Sequence, residues 1–111
     1  MNLELSCQDG VTVARVLDAA LDVVGADDFK KRIGARVEQG ERLLAIDLSR
    51  VTFIDSGGLG ALLSLVRQVE EGGRVVLSGC TPPVQQVLRL TRLDRVFDFY
   101  ADTDAAVAAL R

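Results

Sequence analysis

The sequence has no histidine and no tryptophan. Without histidine a Ser-His-Asp triad has no base, and a zinc site loses its usual nitrogen ligand. Aromatic residues make up only 5% of the chain, which leaves no stacking platform for single-stranded nucleic acid. Thirteen basic residues against sixteen acidic ones give a net charge of −3, so no electrostatic footprint for DNA or RNA exists. Cys7 and Cys80 are the only cysteines, and they form no CxxC pair. They read as reduced thiols acting as small apolar residues. No apolar run approaches the ~20 residues needed to span a bilayer. Met1-Asn2-Leu3-Glu4-Leu5 has neither the basic region nor the apolar run of a signal peptide. The expectation is a cytoplasmic protein with no membrane insertion and no nucleic-acid partner. There is no G-x-x-x-x-G-K-[ST] loop and no clustered set of metal ligands, so no cofactor, metal or catalytic residue is expected. A two-component receiver with Asp55 as acceptor would need an acidic pair near the first strand and a late lysine, and both are missing.

What is present is a core. Hydrophobic residues make up 49% of 111 residues, enough for one folded domain over 1–111 and too much for a disordered chain. Leu3 to Ser6 and Val11 to Val16 flank Gln8-Asp9-Gly10 and predict a hairpin whose second strand ends near Leu17 to Asp22. Ala26, Phe29, Ile33 and Val37 share one face of a helix over Ala26 to Gln39. Asp27 and Asp28 are placed in its first turn and Gly40 at its C′ position. Its basic stripe of Lys30, Lys31, Arg32 and Arg36 reads as a solvated face. Leu43 to Leu48 is almost continuously apolar, as suits a strand buried on both faces.

A second helix is expected from Gly58 to Glu70, ended by Glu71-Gly72-Gly73, with Leu59, Leu62, Leu63, Val66 and Val69 facing inward. Leu65 falls off that stripe and fits either a docking patch or the edge of the sheet. Arg74 to Gly79 is another buried strand. Pro82 opens a short helix with Val84, Val87, Leu88 and Thr91 inside. Val96 to Tyr100 alternates as a last strand, and Asp102-Thr103-Asp104 caps a final helix that packs Ala106, Val107 and Leu110. The order β-β-α-β-α-β-α-β-α implies an α/β fold with a mixed sheet.

The chain is organised around Val51 to Gly60, where the polar turn Asp55-Ser56-Gly57-Gly58 joins an apolar strand to a helix. Ser56 stands at the expected N-cap, with an exposed hydroxyl. Three roles compete for it. As a nucleophile it lacks a histidine base, and the hydrolase elbow needs glycine where Ile54 stands. A plain helix cap remains open. So does a phosphate acceptor, because a helix N-terminus tolerates added negative charge. Gly57 and Gly58 would let another molecule approach the backbone closely.

Asp55-Ser56-Gly57-Gly58-Leu59-Gly60 resembles the D-S-x-G-L-G signature of the STAS domain, and more narrowly that of bacterial anti-sigma factor antagonists. Leu21-Asp22 resembles the end of the family's G-x-L-D, with Ala19 in place of glycine. Leu90 to Phe97 resembles its T-G-L-D-x-V-F run, with Arg92 in place of glycine. The resemblance implies helices mainly on one side of the sheet and phosphorylation of Ser56 by a kinase that is itself the anti-sigma factor. It implies partner contacts through Asp22, Asp55, Ser56, Gly57, Gly58 and Leu59, with capping of the next helix as the alternative for Asp22; the off-stripe position of Leu65 adds it to the expected contacts. A phosphatase of PP2C type and a weak homodimer are further expected partners. The alternative role is a constitutive STAS scaffold subunit of a signalling or membrane lipid-transport complex.

Overall fold

Strand β2 (Val11–Val16) pairs antiparallel with β1 (Leu3–Gln8) and parallel with β4 (Leu43–Asp47). Two residues of positive φ, Asp9 (52°) and Gly10 (79°), turn the hairpin. This is the primed geometry that matches strand twist. The computed structural model describes residues 1–69 and 72–111. Its main sheet runs β1-β2-β4-β6-β7, with β6 at Arg74–Ser78 and β7 at Asp98–Tyr100, all parallel except β1. A second, two-stranded sheet pairs β3 (Ala20–Leu21) with β5 (Phe53–Ile54). The helices are α1 (Val23–Glu38), α2 (Ser56–Val69), α3 (Pro82–Leu90) and α4 (Thr103–Leu110), with a 3-10 turn at Leu93–Arg95. No helix among the described residues is long and apolar enough to cross a membrane.

Strand alternation sorts the core into two layers. Leu44, Ile46, Val75 and Leu77 point to one face, where they meet Phe29 and Ile33 of α1, Leu62 and Leu65 of α2, and Leu88 of α3. Val11, Val13, Ala45 and Val76 point to the other, where Ala106, Val107 and Leu110 of α4 cover them, with Leu43 and Tyr100 packed alongside. Three helices on one face and one short helix on the other is the mixed, largely one-sided α/β architecture expected. β4 is the central strand, with both its faces buried.

Several local expectations shift. α1 starts at Val23, three residues earlier than the apolar spacing implies, because the Asp22 carboxylate accepts from the Val24 and Gly25 N–H groups. Asp27 and Asp28 therefore lie in its second turn. The far end closes as expected: Gly40 has φ +104°, its N–H donates to Val37 O and that of Glu41 to Arg36 O, a Schellman closure. The strand at Val96 to Tyr100 is shorter, beginning at Asp98. Before it Arg92 takes the left-handed conformation (φ 62°), which a glycine would adopt more cheaply. Thr91 faces solvent, and its hydroxyl donates to Val87 O and Leu88 O at the end of α3. The expected end of α2 at Glu70–Glu71 lies outside the described residues.

Candidate functional site

The two-residue strands β3 and β5 deliver two helix starts to one place. β3 runs straight into α1 and β5 into α2, and their parallel pairing (Ala20 with Phe53, Leu21 with Ile54) sets the helix N-termini side by side. Asp55 joins them. One carboxylate oxygen accepts from the Gly58 N–H at 3.0 Å, capping α2, and the other accepts from the Val23 N–H at 3.2 Å, at the start of α1. Its carbonyl accepts the first α2 bond, from the Leu59 N–H at 2.9 Å. The Gly58 N–H, with help from those of Val23 and Gly57, holds the Asp55 carboxyl below the ordinary carboxylate range against a smaller opposing effect of desolvation. The group is ionised at neutral pH.

This corrects the expected cap. Asp55, not Ser56, is the capping residue, and Ser56 is the first residue of α2. The side chain that ends a strand at this height finds two N–H donors, whereas the next one points outward. Ser56 is exposed on the outer surface of the turn.

The glycines also take a different role. A Cβ on Gly57 would lie 2.6 Å from Val23 Cα, and one on Gly58 would collide with the Leu21 carbonyl and sit 2.9 Å from Ile54 Cγ1. They let the first turn of α2 press against the β3–α1 junction, and Gly58 is buried there. Leu59 is half-buried against the core. Leu65 is fully buried (0% exposed) in the core, so it packs inside as one of its two readings had it and forms no exposed docking patch. The stripe of α2 that faces inward is Gly58, Ala61, Leu62, Leu65 and Val69, one residue round from the expected one. Asp22 caps α1 and lies beside the Asp55 bridge, so the structure brings Asp22, Asp55, Ser56 and Gly57 together and turns Gly58 and Leu65 inward.

Three surface residues escaped the sequence reading. Val24 is 87% exposed, Val23 68% and Phe53 55%, and they sit on the segments flanking Ser56. Single exposed apolar residues are ordinary, but three on two segments that meet at one turn mark it as a candidate contact surface. The Val23-Val24 pair directly after a capping aspartate, outside the Ala26–Phe29–Ile33 stripe, was the available signal.

Comparison with known proteins agrees with this geometry. The family model described as STAS domain matches residues 2–106. BtrV of Bordetella bronchiseptica, provisionally described as an anti-sigma factor antagonist, is 29% identical over 112 residues, which cover all of this chain and 96% of BtrV. The anti-sigma F factor antagonist of Paenibacillus polymyxa is 25% identical over 114 residues, covering 99% of this chain and 97% of that protein. The crystal structure of an anti-sigma factor antagonist from Mycobacterium paratuberculosis superposes with a TM-score of 0.90 at 31% identity, over 99% of this chain and 93% of that one. With its signature turn in place between β5 and α2, the chain belongs to the STAS domain family.

Proposed function

We propose that this protein is an anti-sigma factor antagonist, a binding module switched by phosphorylation of Ser56. The unmodified turn binds an anti-sigma factor that is also a serine kinase, and so occupies it. Phosphate on Ser56 releases that partner. The observation that carries this reading is the division of labour at the turn. Asp55 caps the helix, Ser56 is exposed, and Val23, Val24 and Phe53 are exposed on the paired β3–α1 and β5–α2 segments that meet at the turn. The relatives named as anti-sigma factor antagonists over the full chain length support it.

The physical logic is electrostatic. Phosphorylation adds about −1.5 to −2 charge to the first residue of α2, next to an already ionised Asp55. The helix N-terminus tolerates that charge, so the domain stays folded. An interface that must bury the phosphate against Val23, Val24 and Phe53 does not, because its desolvation finds no compensating donor there. The partner kinase supplies ATP and Mg²⁺, and a phosphatase of PP2C type resets the switch. Asp22 and Asp55 shape the turn, with Gly57 and Leu59 at its margin.

The test is capture from native extract with wild-type, Ser56→Ala and Ser56→Asp baits, with Ser56 mapped for phosphate by mass spectrometry. The switch predicts that Ser56→Ala retains a kinase-like regulator, Ser56→Asp loses it, and native Ser56 is partly phosphorylated. Capture of one partner by all three baits, with no phosphate found, would identify a constitutive scaffold subunit instead.

A further inference from the structure

The parallel strands β6 and β7 are neighbours, yet the chain leaves them in opposite directions. After β6 it enters α3 on the three-helix face, and after β7 it enters α4 on the other. The carboxyl ends of such a strand pair diverge and leave a crevice, the usual place for a ligand in an open α/β sheet. A cleft of about 540 Å³ lies at this point. That volume is in the range of small-molecule sites. It is separate from the Ser56 turn and has no part in the switch proposed above.

The cleft is built from fixed backbone and free side chains. The Gly79 N–H donates to Tyr100 O at 3.0 Å, tying the two strand ends together at its floor. The Gln85 side-chain amide donates to Cys80 O at 2.7 Å and holds the rim. Leu88 of α3 and Phe99 of β7 supply apolar surface, and Phe99 remains 38% exposed although it is aromatic. Arg89 and Asp94 bring opposite charges to the same cleft, and among the described residues neither forms an ion pair. Asp94 is placed there by the left-handed Arg92, a strained backbone position of the kind found at ligand sites.

We propose that this cleft binds a small zwitterion with a flat ring, of the class of the aromatic amino acids. Arg89 takes the carboxylate through its planar fork, Asp94 takes the ammonium group, and the ring lies against Phe99 and Leu88. The two charges select a molecule that carries both signs, and the aromatic wall selects a ring beside them.

The experiment is a titration of ¹⁵N-labelled protein with L-tryptophan, tryptamine and indole-3-acetate, followed by NMR. Saturable shifts are expected at the Gly79, Cys80 and Ala101 amides, which line the cleft. Arg89→Gln should weaken tryptophan and indole-3-acetate about tenfold and spare tryptamine. Asp94→Asn should weaken tryptophan and tryptamine and spare indole-3-acetate. Both side chains are exposed, so the variants retain the native spectrum. The ligand series reads the same two contacts in the unaltered protein, where tryptophan should bind more tightly than either truncated analogue. The proposal is overturned if none of the three ligands shifts these amides saturably at about 10 mM. It is equally overturned if all three bind alike and neither variant discriminates among them.

Discussion

Gly58→Ala and Gly60→Ala make the same chemical change two residues apart in one helix, and they should have opposite effects. Helix propensity alone favours alanine at both, by up to about 1 kcal/mol in a helix interior. At Gly60 nothing lies within 4 Å of the added Cβ, so that gain should be realised. At Gly58 the Cβ would fall closer than 3.0 Å to the Leu21 carbonyl oxygen and to Ile54 Cγ1. The carbonyl belongs to β3 and cannot rotate away as a flexible side chain would. The first turn of α2 must back off from the β3–α1 junction, stretching the bridge from Asp55 to the Val23 N–H. Overpacking of this kind costs about 1–3 kcal/mol, and a backbone carbonyl that cannot give way puts Gly58 at about 2–3, so after a propensity gain of up to about 1 kcal/mol the net loss should be about 1–2 kcal/mol. For a domain near this size that is a fall in Tm of roughly 5–10 °C. Urea unfolding at constant m-value and a thermal melt of the three proteins measure it. If Gly58→Ala proves as stable as wild type, the close approach of α2 to Leu21 does not exist as described, and the argument for these glycines fails.

Other predictions follow from the same packing. Leu65→Ala should destabilise by about 2–5 kcal/mol, the cost of emptying a fully buried leucine site, while leaving partner affinity of the folded fraction unchanged; calorimetry and a pull-down at low temperature separate the two. Asp55 titrates below its ordinary value of 3.8, so the native state binds fewer protons than the unfolded one, and its contribution is full above that value and lost as pH falls through the native one. Asp55→Asn should flatten the acid limb of stability against pH in urea titrations, and an unchanged limb would remove Asp55 from that role. Burial pushes the Cys80 thiol up to about 11, whereas Cys7 is exposed on the edge strand. Iodoacetamide at pH 8 should therefore label Cys7 much faster, as peptide mapping would show. Val24→Ser and Phe53→Ser should change stability by no more than about 0.5 kcal/mol, as exposed positions do, yet weaken capture of the switch partner.

The element order was legible because most elements are long enough to show a period. The β1–β2 hairpin announces itself by Asp9-Gly10, and α1 by its Phe29–Ile33–Val37 spacing. The central strand announces itself by an unbroken apolar run and α4 by its Asp102 cap, whose carboxylate accepts from the Ala105 N–H as the pattern implies. β3 and β5 are two residues each, too short for any alternation to register. They exist because their backbones pair with each other, which no local pattern encodes. The inward face of α2 was misread for a related reason. Leu59, Leu62, Leu63, Leu65 and Val66 are apolar nearly all round, so more than one stripe satisfies helical spacing, and only the position of α1 and the sheet selects the one containing Leu65.

The same division runs through the candidate site. By itself the sequence determined the residue types: Asp-Ser-Gly-Gly between an apolar segment and a helix, with no histidine to make Ser56 a conventional nucleophile. Composition and order are sufficient for that, because chemistry excluded by a missing residue stays excluded in any fold. Which of two good capping residues would cap was a tertiary decision. Asp55 took the role because its carboxylate reaches two N–H groups at once, one on its own helix and one on α1, thirty-two residues away in the chain. That second donor is delivered only by the β3–β5 pairing. With it come the buried Gly58, the outward Ser56 and the exposed Val23 and Val24. Each depends on where two chain segments meet, and a meeting of distant segments is energy that the folded structure, not the local sequence, assigns.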